Sequence, residues 1–451
     1  MAQVRKWLTI GVLSILLSNL LSACSGTSGT SETPVKTVGV VAGNVSKPAP
    51  SEKQTLYIYA VDDKNFYNDK STLEKIFGEF EKTYNVDLQF ITTKSADQIH
   101  KISVAANSNS QIDLMFLNGQ YVRTLFTRGL LAPLDHVLKN KDSLFNKSAL
   151  DAFTFNGKIY AYPYGDSMTS AVYYNKGIFQ KYKLTPPVTY EDLVNVTKEL
   201  NKHGIQGIAF GGASKFMWPM WFFETFFQMS ENKGLERTEA VLTGKAKFTD
   251  SDYIEAMDAL AKFGKDGIFQ PGVNGADSEL GKALFVAGKA AMFYGGTWEL
   301  DSFRKSLGGK LGITFFPEVK AGAKVQMTGA GGNAFAMYSN IVPEHKDLAA
   351  KLMEYYYSIP IQKILSTQTG VSIPSNKNAP MSTNPLIKEL TDNYLPDTST
   401  FLDWYWPQEI VQEFQFQIQA VIRGTVTAEE AMTEIQEVLD KLRENGYNFN
   451  E

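Results

Sequence analysis

The sequence predicts an α/β fold, and three observations carry that reading. Short strand-like runs alternate with amphipathic helical stretches along most of the chain, which indicates a largely parallel sheet flanked by helices. The pattern begins abruptly near residue 54, after a stretch almost free of large side chains. The chain has 451 residues, 43% of them hydrophobic, enough for one large two-lobed unit or two domains.

Taken in order, residues 55–60 (TLYIYA) read as a strand. Ser71 and Glu74 then form an S-x-x-E capping box, followed by Leu73, Ile76, Phe77, Phe80 and Tyr84 on one helical face. Residues 87–92 (DLQFIT) and 112–117 (IDLMFL) read as the second and third strands. The alternation resumes with short apolar runs at 207–210, 290–294, 311–316 and 333–338, each bounded by turn residues. The last element is an amphipathic helix. Thr427 and Glu430 form its capping box, Ala431, Met432, Ile435, Val438, Leu439 and Leu442 its buried stripe, and Gly446 its stop. No internal repeat is visible.

The first 53 residues read differently. Arg5 and Lys6 precede a mostly apolar run at 8–21, and residues 21–24 (LSAC) form a lipobox. The run is broken by Ser14, Ser18 and Asn19 and is marginal for a spanning helix, so a cleaved export signal over residues 1–23 is expected. Cys24, the single cysteine, would then be lipidated, with palmitate among the attached chains. Two acyl chains would hold the protein on the outer side of the cell membrane. Residues 24–53 are mostly Ser, Thr, Gly, Pro and Val and read as a flexible tether. With one cysteine, no disulfide forms within the chain.

Composition and motifs exclude several function classes. The net charge is −4 and becomes more negative once Arg5 and Lys6 are removed, so nucleic acid is not an expected partner. His100, His136, His203 and His345 occupy unrelated polar segments, without nucleophile-elbow or zinc-ligand spacing; no metal and no cofactor are expected. Residues 329–334 (GAGGNA) match the dinucleotide fingerprint formally, but a strand-like run (AFAMY) follows where a helix is required. Those glycines suit close backbone approach instead. Asp62, Asp63, Asp166 and Glu299 could supply a carboxylate pair for glycoside hydrolysis, which needs a separation that spacing does not reveal.

Aromatic residues are more informative. Trp218, Trp221, Trp298, Trp404 and Trp406, with Tyr121, Tyr162 and Tyr164, fall beside turn signals. Pyranose rings stack on aromatic faces, and their hydroxyls pair with Asp, Glu and Asn. Each tryptophan serves either a ligand or the core; Trp221 and Trp406 are assigned to the core.

Several segments resemble the lipid-anchored extracellular solute-binding proteins of ABC transporters, in the sugar-binding branch that includes maltodextrin-binding proteins. They are residues 113–116 (DLMF) with 128–134 (RGLLAPL), 155–163 (FNGKIYAYP), 173–176 (YYNK), 187–193 (PVTYEDL), 285–292 (FVAGKAAM) and 296–299 (GTWE). The resemblance runs from about residue 54 to the end, in a specific order. It implies a two-lobed periplasmic-binding-protein-like fold (type II), with the ligand cleft between lobes joined by crossing strands. One lobe would take residues 54–164 and 328–378, the other 165–327 and 379–451.

On this sequence the resemblance places Asp62, Asp63 and Asn65 after the first strand, Asn118, Gln120 and Tyr121 after the third, and Tyr164, Asp166 and Ser167 at the first crossing. It places Lys215 and Trp218 beside a Trp-Pro pair, Trp298 and Glu299 after the A-M strand, Gly331 and Gly332 through their backbone, and Trp404 at the late aromatic that closes the cleft. Leu117 and Gln120 depart from the family's aromatic and acid, so the sugar preference differs. The implied function is capture of a carbohydrate, an oligosaccharide, and delivery to an ABC permease by a monomeric receptor without catalysis. A tethered glycoside hydrolase and a receptor for a peptide or other non-sugar solute are the alternatives.

Overall fold

Two mixed β-sheets, each wrapped by helices, organise the chain. The computed structural model describes residues 53–61, 69–165, 167–330, 332–368, 373–381, 383–393 and 395–449. The export signal, Cys24, the tether, Asp62, Asp63, Asn65, Asp166 and Gly331 lie outside the described residues.

The first sheet has five strands. Gln54–Val61 lies between Val86–Thr93 and Leu114–Asn118, parallel to both. Asn333–Met337 then inserts antiparallel between Leu114–Asn118 and Ala161–Tyr164. The second sheet has four strands, in the order Leu311–Thr314, Ala171–Asn175, Ala290–Gly295, Gln206–Ala209. There only the pairing of Ala290–Gly295 with Gln206–Ala209 is parallel. The largely parallel sheet expected from the alternation is therefore corrected to two mixed sheets. Ala161–Tyr164 and Ala171–Asn175 were invisible to that pattern because both are short and buried along nearly their whole length, and such runs carry no alternation.

Each sheet has its own cores. Leu56, Ile58, Phe77, Phe80, Phe116, Tyr162, Phe335 and Tyr356 pack on one face of the first sheet, and Ile102, Met115, Leu117, Leu125 and Phe153 on the other. The second sheet is covered on one face by a large aromatic core that includes Phe210, Trp218, Trp221, Phe226, Tyr253, Phe414 and Ile435. Phe285, Phe293, Phe303 and Ile387 cover its other face.

Helix ends follow local chemistry. The terminal helix Ala428–Glu444 has the Thr427/Glu430 capping box and buries Ala431, Met432, Ile435 and Leu439. The first helix differs from its expected start. It spans Lys70–Tyr84 and is capped by Asp69, whose carboxylate accepts from the Ser71 amide and the Thr72 hydroxyl. Glu74, freed from a capping role, pairs with Lys82 at 2.9 Å. An aspartate two residues ahead of the serine takes the cap because its carboxylate is the stronger acceptor. Tyr84 is exposed.

Two connections between the sheets run side by side. The chain leaves Ala161–Tyr164, passes Ser167–Met168 and enters Ala171–Asn175. It returns through Gly329–Ala330 into Asn333–Met337, and Gly329–Ala330 pairs antiparallel with Ser167–Met168. A third segment lies against them: the Gly329 amide donates to Ser399 O at 2.7 Å and the Ser399 amide to Met327 O at 2.9 Å. Because the strand Asn333–Met337 follows Gly332 directly, Gly329 and Gly332 belong to a crossing and not to a nucleotide loop.

Candidate functional site

A groove of about 990 Å³ opens between the two sheets' domains. One wall carries Ser95, His100, Asn118, Gln120, Tyr121, Thr124 and Arg128; the facing wall carries Lys215, Phe216, Gln408, Glu409, Gln412, Gln415 and Tyr447.

The first wall is built at the end of strand Leu114–Asn118. Buried Gln98 ties that end down: its amide nitrogen donates to Phe116 O at 2.7 Å, and its oxygen accepts from the Asn118 amide at 3.0 Å. Asn118 then caps the short turn Gly119–Tyr121, accepting from the Gln120 amide at 3.2 Å. This leaves Gln120 at the groove, while burial raises the Tyr121 phenol above its ordinary range. Arg128 is steered by a 2.7 Å hydrogen bond to Ser103 Oγ. On the other wall Lys215 is exposed, with no ion-pair partner among the described residues.

Behind the first wall three segments converge. A Cβ built on Gly119 would lie 2.5 Å from both Gly332 O and the Trp404 ring, so only glycine fits there. Gly332 has φ +58°, and a Cβ on it would lie 2.6 Å from Ser167 Oγ. The half-buried Trp404 ring stacks on Phe153, centroids 5.5 Å apart, and packs against the cores of both sheets. The structure therefore brings together Asn118, Gln120, Tyr121, Gly332, Ser167 and Trp404, with Lys215 across the groove.

Other expected ligand residues fall elsewhere. Trp218 is fully buried; its indole donates to Gly212 O at 2.9 Å, and its ring meets Phe210 edge-on. It opens the helix Trp218–Met229 with Pro219 in the first turn, and that helix is apolar nearly all round, so burial claims both its tryptophans. As a ligand contact Trp218 is corrected to core, where Trp221 also lies. Tyr164 is 7% exposed and stacks on Tyr356 inside the first domain. Glu299 is buried and pairs with Lys282 at 3.3 Å. Burial raises its carboxyl, against the pull of the Lys282 ammonium. Trp298, by contrast, is 40% exposed and lies over Gly296. It stands outside the groove, beside the crossing strand that Thr297 anchors by accepting from the Met168 amide at 3.2 Å.

Two buried acids escaped the reading of the chain. Asp403 adjoins Trp404, is 6% exposed and has no partner for Oδ1 among the described residues; burial pushes it up to about 7. Glu224 is the sole charged residue of the apolar helix Trp218–Met229, and burial pushes it up to about 7 as well. A lone acid inside an aromatic run was the available signal for Glu224. Among the described residues no cluster of His, Cys, Asp or Glu could hold a metal ion, and no helix is long and apolar enough to cross a membrane.

Residues 75–392 match the family of bacterial extracellular solute-binding proteins. The chain belongs to this family. Its members act in the periplasm or outside the cell. The binding protein is 26% identical over 254 residues to the galactooligosaccharide-binding protein of Bacillus subtilis, covering 54% of this chain and 56% of that relative's length. It is 26% identical over 318 residues to the sn-glycerol-3-phosphate-binding periplasmic protein UgpB of Agrobacterium fabrum, covering 67% and 69%. A chitin oligosaccharide binding protein superposes with a TM-score of 0.77 at 21% identity, covering 86% of this chain and 98% of the other. Maltose-bound MalE3 of T. maritima superposes at 0.72 and 20% identity, covering 86% and 100%. The two-domain architecture is thus the two-lobed fold of such proteins, and the two domains are its lobes.

Proposed function

We propose that this binding protein captures a carbohydrate, an oligosaccharide, outside the cell and hands it to the permease of an ABC importer. The observation that carries the reading is the groove between the lobes. Its walls present planar amides from Asn118, Gln120, Gln408, Gln412 and Gln415 beside the rings of Tyr121, Phe216 and Tyr447. Amides donate and accept at once, as sugar hydroxyls require, and its volume of about 990 Å³ lies at the upper end of small-molecule sites. Solute touching both walls favours lobe closure by the difference in its affinity for the closed and open forms. The protein performs no catalysis; the permease's ATPase supplies the work. It acts as a monomer whose lobes divide at about residues 164, 328 and 378. An export signal ending at residue 23 and lipidation of Cys24 hold it to the outer face of the cell membrane on a tether of residues 24–53. Asp62, Asp63, Asn65, Asp166 and Gly331 complete the cleft, and Trp298 stacks on the bound sugar beyond the groove.

Calorimetry of the purified protein against mono- and oligosaccharides, peptides and glycerol phosphates tests this. An oligosaccharide that binds saturably, is recovered intact, and loses at least about tenfold in affinity in Gln120→Ala supports the receptor; cleavage of the sugar refutes it. Arg128 and Lys215 in the groove favour a phosphate ester as the second candidate, and binding of glycerol phosphate alone would replace the sugar assignment. Release of Cys24→Ala protein into the medium checks the anchor.

A further inference from the structure

Glu224 makes contacts that its place in an aromatic helix does not require. Its Oε1 accepts from Thr328 N at 3.2 Å, from Thr328 Oγ1 at 2.6 Å and from Ser170 Oγ. Thr328 belongs to the returning connection between the lobes, and Ser170 to the outgoing one. The Thr169 amide also donates to Thr328 O at 2.7 Å, and Thr328 bridges to Ser399 of the third segment. One carboxyl oxygen thus holds the crossing segments at the point where lobe movement must bend them. Ser170 is held there at φ +71°, a conformation costly for a residue with a side chain. Among the described residues, the titratable group facing this cluster is Tyr294. Its hydroxyl donates to Ser170 Oγ at 3.1 Å, and no charged side chain shifts the titration of Glu224.

Burial raises this carboxyl although Ser170 and Thr328 donate to it, so the cost of burying its charge outweighs the gain from those hydrogen bonds. The intact cluster is therefore favoured while Glu224 is neutral, and loss of the proton favours any hinge geometry that lets water reach the carboxylate. We propose that Glu224 is a positioning residue of the hinge: its neutral carboxyl holds the crossing segments together, and proton loss to the surroundings loosens that hold, so that lobe movement and solute retention follow external acidity. The burial that raises this carboxyl to about 7 puts the change within reach of ordinary external conditions. The solute half of the proposal rests on the receptor reading; the hinge half does not.

Hydrogen exchange by mass spectrometry on the solute-free full chain tests the hinge, with Glu224→Gln as the neutral isostere measured at each pH so that intrinsic exchange rates cancel. At about pH 8.5 the segment around residues 327–330 should be at least roughly tenfold less protected in the native protein than in the variant, and at about pH 4.5 nearly equally protected. A ratio that is the same at both pH values overturns the proposal. Thr328→Val, which removes one donor and keeps the shape, should move the transition in protection to higher pH; an unmoved transition also overturns it. For a sugar found by calorimetry, affinity should vary with pH in the native protein and stay flat in Glu224→Gln. Equal pH profiles would remove the solute half while the exchange result stands. A screen that finds no sugar counts against the receptor reading and leaves the exchange test of the hinge unaffected.

Discussion

Asp403→Asn should stabilise the protein in alkaline solution and leave it nearly unchanged in acid. Asp403 is 6% exposed, its Oδ1 lacks a partner among the described residues, and burial raises it from the ordinary 3.8 to about 7. Between those values the folded chain holds a proton that the unfolded chain has lost, so stability falls as pH rises. The contribution is intact below about pH 4, is lost progressively toward about pH 7, and stays lost above. A rise of that size corresponds to about 4 kcal/mol of penalty on the ionised form, large against a total stability of about 5–15 kcal/mol. Asparagine cannot ionise and escapes the penalty; any cost of its extra donor is the same at every pH. Urea denaturation of both proteins at about pH 4.5, 6 and 8 measures the difference, and the variant's advantage should grow by several kcal/mol across the series. Glu224 titrates in the same direction but is common to both chains, so it cancels. An advantage that stays constant with pH would refute the reasoning, because it would mean that the side chain is solvated or finds a donor when charged.

Other outcomes follow from packing and backbone geometry. Trp218→Ala removes a fully buried ring and should cost about 3–5 kcal/mol in urea unfolding, whereas Trp298→Ala, at a ring 40% exposed, should cost under about 1 kcal/mol while weakening sugar binding. Gly332→Ala forces a Cβ to within 2.6 Å of Ser167 Oγ at φ +58°. A loss of about 1–3 kcal/mol is expected, with a measurable change in the small-angle scattering radius of the solute-free protein. Asp113 is fully buried and accepts from the Tyr57 amide at 2.7 Å and pairs with His345 Nδ1 at 3.0 Å. Asp113→Ala strands that amide and should cost about 1–3 kcal/mol by thermal or chemical unfolding.

The elements that were legible in the sequence are those whose signal is local. The Thr427/Glu430 box holds, and of the expected stripe Ala431, Met432, Ile435 and Leu439 are buried while Val438 and Leu442 are half-buried, because capping and amphipathicity involve neighbours a turn apart. The strand at 54–61 appeared almost at its true ends for the same reason. The Ser71 cap failed because Asp69, two residues earlier, competes for the same amides, and only geometry decides between such acceptors. Site residues divided along a similar line. Asn118, Gln120, Tyr121 and Trp404 follow strand ends or turns and do meet at one place, whereas Trp218 looked identical in sequence and is swallowed by a helix that is buried all round. Glu224 was missed because its partners, Ser170 and Thr328, lie 54 and 104 residues away, and no spacing rule links them.

The middle strand of the first sheet has a consequence for how this chain reaches its folded state. Asn333–Met337 separates Leu114–Asn118 from Ala161–Tyr164 and bonds to both. A chain emerging from its N-terminus therefore makes the edge strand Ala161–Tyr164 long before the partner that docks it, and the first lobe stays unfinished until residue 337 is free. Within the first sheet the pairings that can form early are those among Gln54–Val61, Val86–Thr93 and Leu114–Asn118. Late closure of this kind keeps a polypeptide threadable through a narrow pore for most of its length, and it means that a fragment ending before residue 333 should fail to protect its own sheet from aggregation.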